Sequence, residues 1–319
     1  MESLKMMLIL RTTKNMMDSL YEKFKAGYKN GYFVKVGEKA HNMFIGKDEE
    51  GRFCFEFRGS FTPVKLIGSK PLAVNQYKDK ETSYILRFSL EQDELLGCFA
   101  AFGEDLISAA QDITDENLIY HILSDRFQAW KKFFKSDRSR LTEPEIMGLI
   151  GELLFLKEKA IPKWGESIAL DSWMGPEKTH KDFSCDNEWF EIKTINSGKE
   201  TVHISSIEQL DSDMPGCLYV YSFEKMSPSY DGLIVNKLIR NILDSLGTHP
   251  KNIFLNKLAY FGFDFSPEYD NLVFRKVDEN CYLVDSDFPR LKRNLLPLAI
   301  SKCQYDIILT EIESLKSSL

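Results

Sequence analysis

Hydrophobic and polar positions follow two different periods along this chain, and the changes of period mark its elements. From about Gly31 to Leu90, short apolar runs repeat every second residue between Gly, Pro and Asn: Tyr32–Val36, Phe53–Phe57, Val64–Ile67 and Tyr84–Phe88. Such alternation between turn residues predicts strands, and hence an N-terminal β-rich region. Helical periodicity flanks it, at Thr12–Ala26 before and at Glu91–Gln111 and Glu116–Phe134 after.

A different helix begins at Leu141. Thr142 is a natural N-cap, Glu145 completes a capping box, and Pro144 is tolerated in the first turn. Ile146–Leu156 is apolar around most of its circumference, which predicts a buried helix. Gly148 and Gly151 weaken it and predict close backbone packing against another element. Glu152 interrupts the apolar run, and a lone carboxylate is costly to bury unpaired.

Strict alternation returns at Trp189–Ile195. Trp189, Glu191, Lys193 and Ile195 share one strand face, and Phe190, Ile192 and Thr194 take the other. Asp186-Asn187 predicts a two-residue turn, which sets Cys185 opposite Glu188, Phe183 opposite Phe190 and Asp182 opposite Glu191. Asn196-Ser197-Gly198 predicts a turn, Glu200–Ser205 a third strand, and Ser206–Leu210 the start of a helix capped by Ser205 or Ser206. Asp231–Leu246 reads as a helix closed by Gly247. Short strands follow near Leu272–Val277, Tyr282–Val284 and Tyr305–Leu309. The pattern is a mixed α/β (α+β) fold without repeats or low-complexity linkers. Three segments are expected: 1–111 β-rich with flanking helices, 112–230 the core with its preceding basic helix, and 231–319 an α/β extension packed on that core.

Composition narrows the classes. The chain has 319 residues, is 43% hydrophobic and carries a net charge of -7, which argues against a tight, nonspecific DNA binder. No apolar run approaches the roughly 18–20 residues of a membrane span. The six cysteines show no paired C-x-x-C, so neither a zinc site nor a disulfide framework is expected, and a reducing cytoplasm suits them. Basic residues gather at Arg126, Lys131, Lys132, Lys135, Arg138 and Arg140, and again at Arg290, Lys292 and Arg293. Each group is a candidate phosphate contact or a solvated face.

The hairpin carries the chemistry. Opposed carboxylates about 5 Å apart repel by about 3 kcal/mol at an effective dielectric near 20. A divalent cation between them compensates, and hard oxygen ligands suit Mg²⁺ or Mn²⁺. Glu191-Ile192-Lys193 is the chain's only acidic-x-Lys triplet. Lys193 adds positive charge to the same face, where it can orient a water or stabilise charge on a phosphate. Glu152 is then a third acid facing Asp182 and Glu191. His203, Gln209 and His180 are auxiliary candidates for contacts to phosphate, base or water, against ordinary structural roles.

In this order, Glu152, Asp182 and Glu191-x-Lys193 resemble the PD-(D/E)XK nuclease superfamily. More narrowly, Gly148–Leu156, Trp173-x-Gly175-Pro176, Asp182-Phe183, Glu191–Thr194 and His203-Ile204-Ser205 resemble one bacterial family whose members are similar to parts of restriction or phage-defence clusters. Tyr282-Leu283-Val284 and Phe288–Leu291 extend the likeness. The resemblance implies a restriction-endonuclease-like core of helix, three strands, helix and strand. It also implies Asp182 and Glu191 as metal ligands, Lys193 as catalytic lysine, Glu152 as helix acid, and Mg²⁺, replaceable by Mn²⁺, as cofactor. Lys181 departs from the pattern, standing where the superfamily's proline would be. The expected activity is Mg²⁺-dependent DNA hydrolysis. A methyltransferase or an ATPase/helicase companion, or a homodimer, would fit a defence cluster. The competing expectation is a non-catalytic DNA-binding or scaffold subunit that keeps the fold.

Overall fold

The computed structural model describes residues 20–38, 41–134, 140–175 and 181–317. The start of the first expected helix, together with Lys135, Arg138, Pro176 and His180, lies outside the described residues. The chain divides into two compact units, Met1–Ser139 with Asp264–Ser266, and Arg140–Phe263 with Pro267–Leu319. It is a mixed α/β protein, as its periodicities predict.

In the first unit, helix α1 (Leu20–Lys25) precedes an antiparallel sheet of β1 (Phe33–Val36), β2 (Met43–Lys47), β3 (Phe53–Gly59), β4 (Leu72–Lys78) and β5 (Tyr84–Leu90), in the order β1-β2-β3-β5-β4. Strands β2 and β4 are additions to the sequence reading, whereas Val64–Ile67 forms no strand. Side chains satisfy its backbone instead: Val64 N–H donates to Tyr120 Oη at 2.7 Å, and Gln76 Nε2 donates to Val64 O at 2.8 Å. One sheet face buries Phe55, Phe57, Leu86 and Phe88. Phe88 meets Phe102 of α2 (Leu96–Ala109) and Phe127 of α3 (Glu116–Trp130), each with ring centroids 5.1 Å apart.

Arg126 takes no part in a basic surface. It is buried, and its Nε and Nη2 donate to Asp105 at 2.6 and 2.8 Å, with Trp130 Nε1 donating to the same carboxylate at 2.9 Å. A buried guanidinium needs such a paired carboxylate, so this arginine holds α2 to α3.

The second unit opens with α4 (Glu143–Phe155), capped by the expected Thr142–Glu145 box. It runs on through a π-helical turn, Leu156–Ala160, into α5 (Ile161–Trp164), and α6 (Glu166–Ser172) follows. Then come β6 (Phe183–Cys185), β7 (Glu188–Asn196), β8 (Thr201–Ile204), β9 (Gly216–Met226), α7 (Val235–Ser245), α8 (Thr248–Phe261), β10 (Val273–Val284), β11 (Tyr305–Ile308) and β12 (Lys316–Ser317). The main sheet has the order β12-β10-β9-β7-β6, with β7 and β9 parallel and the other pairs antiparallel.

The hairpin has the expected register: Phe183 pairs with Phe190 and Cys185 with Glu188, around a turn in which Asp186 adopts φ 49°. Three details differ from expectation. Strand β8 leaves the main sheet and pairs with β11. The helix expected at Ser206–Leu210 shrinks to a single 3-10 turn, Ile207–Gln209, with Pro215 and the strand start at Gly216 close behind. Gly247 does not close α7; it is the N-cap of α8, a helix the sequence reading did not contain.

The two faces of β7 pack differently. Phe190 and Phe183 meet Phe155 of α4 at centroid distances of 4.9 and 4.8 Å. Gly151 permits this approach, because a Cβ there would lie 2.4 Å from Thr194 Cγ2. Gly148 has open space instead, so only one of the two glycines serves packing. On the other face, Trp189 and Ile195 join a buried cluster with Val202, Ile204, Leu210, Leu218, Val220, Tyr282 and Ile307. Glu191 and Lys193 lie between those two apolar residues in sequence and share their face.

Candidate active site

Three carboxylates and one lysine meet in the second unit. Glu152 lies on α4 and is partly buried, with Oε2 accepting a 2.7 Å hydrogen bond from Trp173 Nε1. Asp182 lies just before β6. Its backbone O accepts from Met174 and Gly175 N–H at 2.7 and 3.1 Å, and its Oδ2 accepts from Ile192 N–H at 2.7 Å. That last bond ties Asp182 to β7, across from Glu191. Gly175 forms the floor: a Cβ there would stand 2.3 Å from Glu152 Oε2 and 3.2 Å from Asp182 Oδ1. A side chain there would displace the Glu152 carboxylate from its place beside Asp182.

Glu191 is 1% exposed and Lys193 15%, with Nζ 2.8 Å from Glu191 Oε1. Both Glu191 oxygens are buried without a well-aligned hydrogen bond, and the Lys193 ammonium lies in contact with Oε1. Gln209 Oε1 accepts from Lys193 Nζ at 3.0 Å and from Ser205 N–H at 2.8 Å. Gln209 therefore orients the lysine from the turn after β8.

Crowding acids in a dry place favours their protonated forms. Burial first and the Asp182 charge second push Glu191 up to about 8, with Lys193 opposing both. Glu152 is raised well above the usual carboxylate range, by burial first and the Asp182 charge second, against the Trp173 hydrogen bond. Burial raises Asp182 as well, while Lys193, the Ile192 N–H and Lys181 pull it back.

Lys181 was recognisable in the sequence only as a missing proline. Its Nζ donates to the carbonyls of Glu208 at 2.8 Å, Gln209 at 2.6 Å and Asp211 at 3.3 Å, and lies 4.0 Å from the Trp189 ring centroid. Burial lowers its pKa to about 8. Arg290 donates to Leu210 O at 2.7 Å and Ser212 O at 3.2 Å. Arg293 N–H donates to Asp211 Oδ2 at 3.0 Å, and its Nη2 lies 3.3 Å from Glu208 Oε1. These cations clamp the segment that carries Gln209. Arg290 and Arg293 are thus occupied by backbone carbonyls and carboxylates rather than presented to phosphate. Arg140 pairs with Glu268. His203 lies apart from the acids: it is exposed on β8, its Nδ1 2.8 Å from Asp306 Oδ1 across the β8–β11 pair.

Buried Glu191 oxygens without a well-aligned hydrogen bond, beside a second carboxylate, suit a hard divalent cation. Among the described residues no group of three or more His, Cys, Asp or Glu side chains is gathered to hold a metal. Glu152 and Asp182 each have one oxygen engaged, by Trp173 and by the Ile192 N–H. One or two protein carboxylates with retained waters is the usual manner of holding Mg²⁺. The donor set therefore fits such an ion better than a closed all-protein cage.

Trp173-x-Gly175, shortly before the aspartate, is the sequence signal for these two supporting residues. No curated protein and no solved structure matches the chain. A family model does match, over residues 21–310, under the description "Putative PD-(D/E)XK family member (DUF4420)". With nine-tenths of its length inside that match and the acids and lysine in the order the motif requires, the chain belongs to this family.

Proposed function

We propose that Glu152, Asp182, Glu191 and Lys193 form the catalytic centre of a Mg²⁺-dependent DNA endonuclease of a bacterial restriction or phage-defence system. The observation that carries this is the buried Glu191 carboxyl, without a well-aligned hydrogen bond and close enough to Asp182 to feel its charge, with the Lys193 ammonium 2.8 Å away. Nucleases of the PD-(D/E)XK type use divalent metals. Asp182 and Glu191 would hold the ion, with Glu152 as the neighbouring helix acid, and the bound ion would supply Lewis-acid stabilisation of phosphate charge and lower the pKa of a bound water.

The chain's own residues do the rest. Lys193, held by Gln209, offers N–H donors toward developing charge on the scissile phosphate. Glu191 carries a proton in the metal-free site up to about pH 8 and must release it to act as a ligand. Trp173 fixes the orientation of Glu152, and Gly175 keeps space between the acids.

The test is plasmid cleavage by purified protein with Mg²⁺, Mn²⁺ or chelator, run beside Asp182→Ala and Lys193→Ala. Metal-dependent nicking or linearisation should disappear in both variants. Cutting that survives both overturns this assignment. DNA retention without cleavage, unchanged by Lys193→Ala, supports the scaffold reading instead.

A further inference from the structure

The sheet of the first unit has a second face, and its composition is unusual for a solvated surface. Cross-strand partners share a face, so the register defines two rows there: Lys35, Phe44, Glu56, Arg87 and Asn75, and then Arg58, Ile85 and Tyr77. Phe33, paired with Gly46, belongs to the same face. Glu56 is fully buried beneath them. It accepts from Arg58 Nε and Nη2 at 2.8 and 2.6 Å and from Arg87 Nε at 2.6 Å.

Two guanidiniums share one buried carboxylate, Glu49 lies near Arg87, Lys35 supplies the surplus positive charge, and the guanidiniums are held in place. The Arg58 guanidinium lies 4.3 Å from the Phe44 centroid and 5.6 Å from that of Phe33. That of Arg87 lies 5.2 Å from Phe33 and 5.3 Å from Tyr77. Tyr77 remains 43% exposed. Glu49, 3.7 Å from Arg87, marks the acidic rim.

We infer that this face binds single-stranded nucleic acid, with bases stacking on the Tyr77 ring and the guanidinium planes and phosphates drawn to Arg58, Arg87 and Lys35. Flat π surfaces interleaved with fixed cations match both parts of a nucleotide: an aromatic base and an anionic linkage. A duplex keeps its bases inside the stack and could use only the charge. An acidic peptide offers carboxylates to the guanidiniums but no aromatic base to stack on the Tyr77 ring. The inference stands apart from the catalytic reading, since it concerns another unit and needs no metal.

The test uses the full chain in chelator, so that cleavage plays no part. A fluorescent oligothymidylate of about 12 nucleotides is titrated and followed by anisotropy. Binding should be saturable, weaker for a duplex of the same length, and about tenfold weaker in a Tyr77→Ala/Lys35→Glu variant. Tyr77→Phe, which keeps the ring, should retain affinity. Both substitutions are at exposed positions and leave the Glu56 pairs in place, and an unchanged unfolding transition verifies folding. Absence of binding at low salt, wild-type affinity in the double variant, or equal displacement by oligoglutamate overturns the proposal.

Discussion

Glu191 couples the protonation of one side chain to the stability of the whole second unit. Its folded-state pKa of about 8 lies above its ordinary value of 4.5, so between those values the folded protein holds a proton that the unfolded chain releases. That stabilisation is complete below the ordinary value and is lost as pH rises through about 8. In chelator, the melting temperature should therefore fall between about pH 4.5 and pH 8, and Glu191→Gln should flatten the fall. Equal slopes in the two proteins would contradict this. Added Mg²⁺ should reverse the fall and release protons, as calorimetry in buffers of different ionisation enthalpy can count. Gly175 allows a second prediction at this scale. A methyl there lands 2.3 Å from Glu152 Oε2, so Gly175→Ala should lower Mg²⁺-dependent cleavage at least as much as Trp173→Phe does, by about tenfold or more.

Helix α4 and the segment after β8 decide whether those side chains meet. The two glycines of α4 look equivalent in sequence and are opposite in effect. Gly151→Ala forces a Cβ to 2.4 Å from Thr194 Cγ2 and should destabilise by about 1–3 kcal/mol. Gly148→Ala meets nothing and should stabilise by about 0.5–1 kcal/mol, through helix propensity and a less flexible unfolded chain. Urea midpoints of the two variants check both signs. The α4 cap, the hairpin register and the Asp182–Glu191 opposition could be read from residue order, because local rules govern them. The turn that supports Lys193 could not. Lys181, Arg290 and Arg293 hold it from positions remote in sequence, and nothing local in Ser206–Leu210 announces that a helix will stop after one turn. Lys181→Met should thus lower kcat more than it raises KM, and Lys181→Arg should restore part of it. Equal loss in both variants would mean that only bulk is needed there.

For the molecule as a whole, charge is the quantity that must be reconciled with the proposed DNA substrate. A net charge of -7 opposes a polyanion, and several of the basic candidates for phosphate are already paired: Arg126 with a buried carboxylate, Arg140 with a surface carboxylate and Arg290 with carbonyls. Sequence counts basic residues correctly but does not reveal which of them are internally paired, because the partners are distant in the chain. Duplex binding through two or three phosphates loses about one order of magnitude between 50 and 200 mM salt, against three to five orders for six to ten contacts. The shallower slope is expected here, and filter binding across that range measures it. The family assignment and the mixed α/β class were within reach of the sequence, whereas the pairing of β8 with β11 was not: it depends on a strand about a hundred residues downstream.

The Trp173–Glu152 hydrogen bond also gives the site an optical voice. An indole whose Nε1 proton points at a carboxylate emits differently when that carboxylate gains a proton or engages a cation. Intrinsic fluorescence excited at the red edge should change on Mg²⁺ addition and titrate with pH, and Trp173→Phe should silence both signals while Trp130, Trp164 and Trp189 continue to emit. Occupancy of the acids could then be followed without substrate, label or turnover.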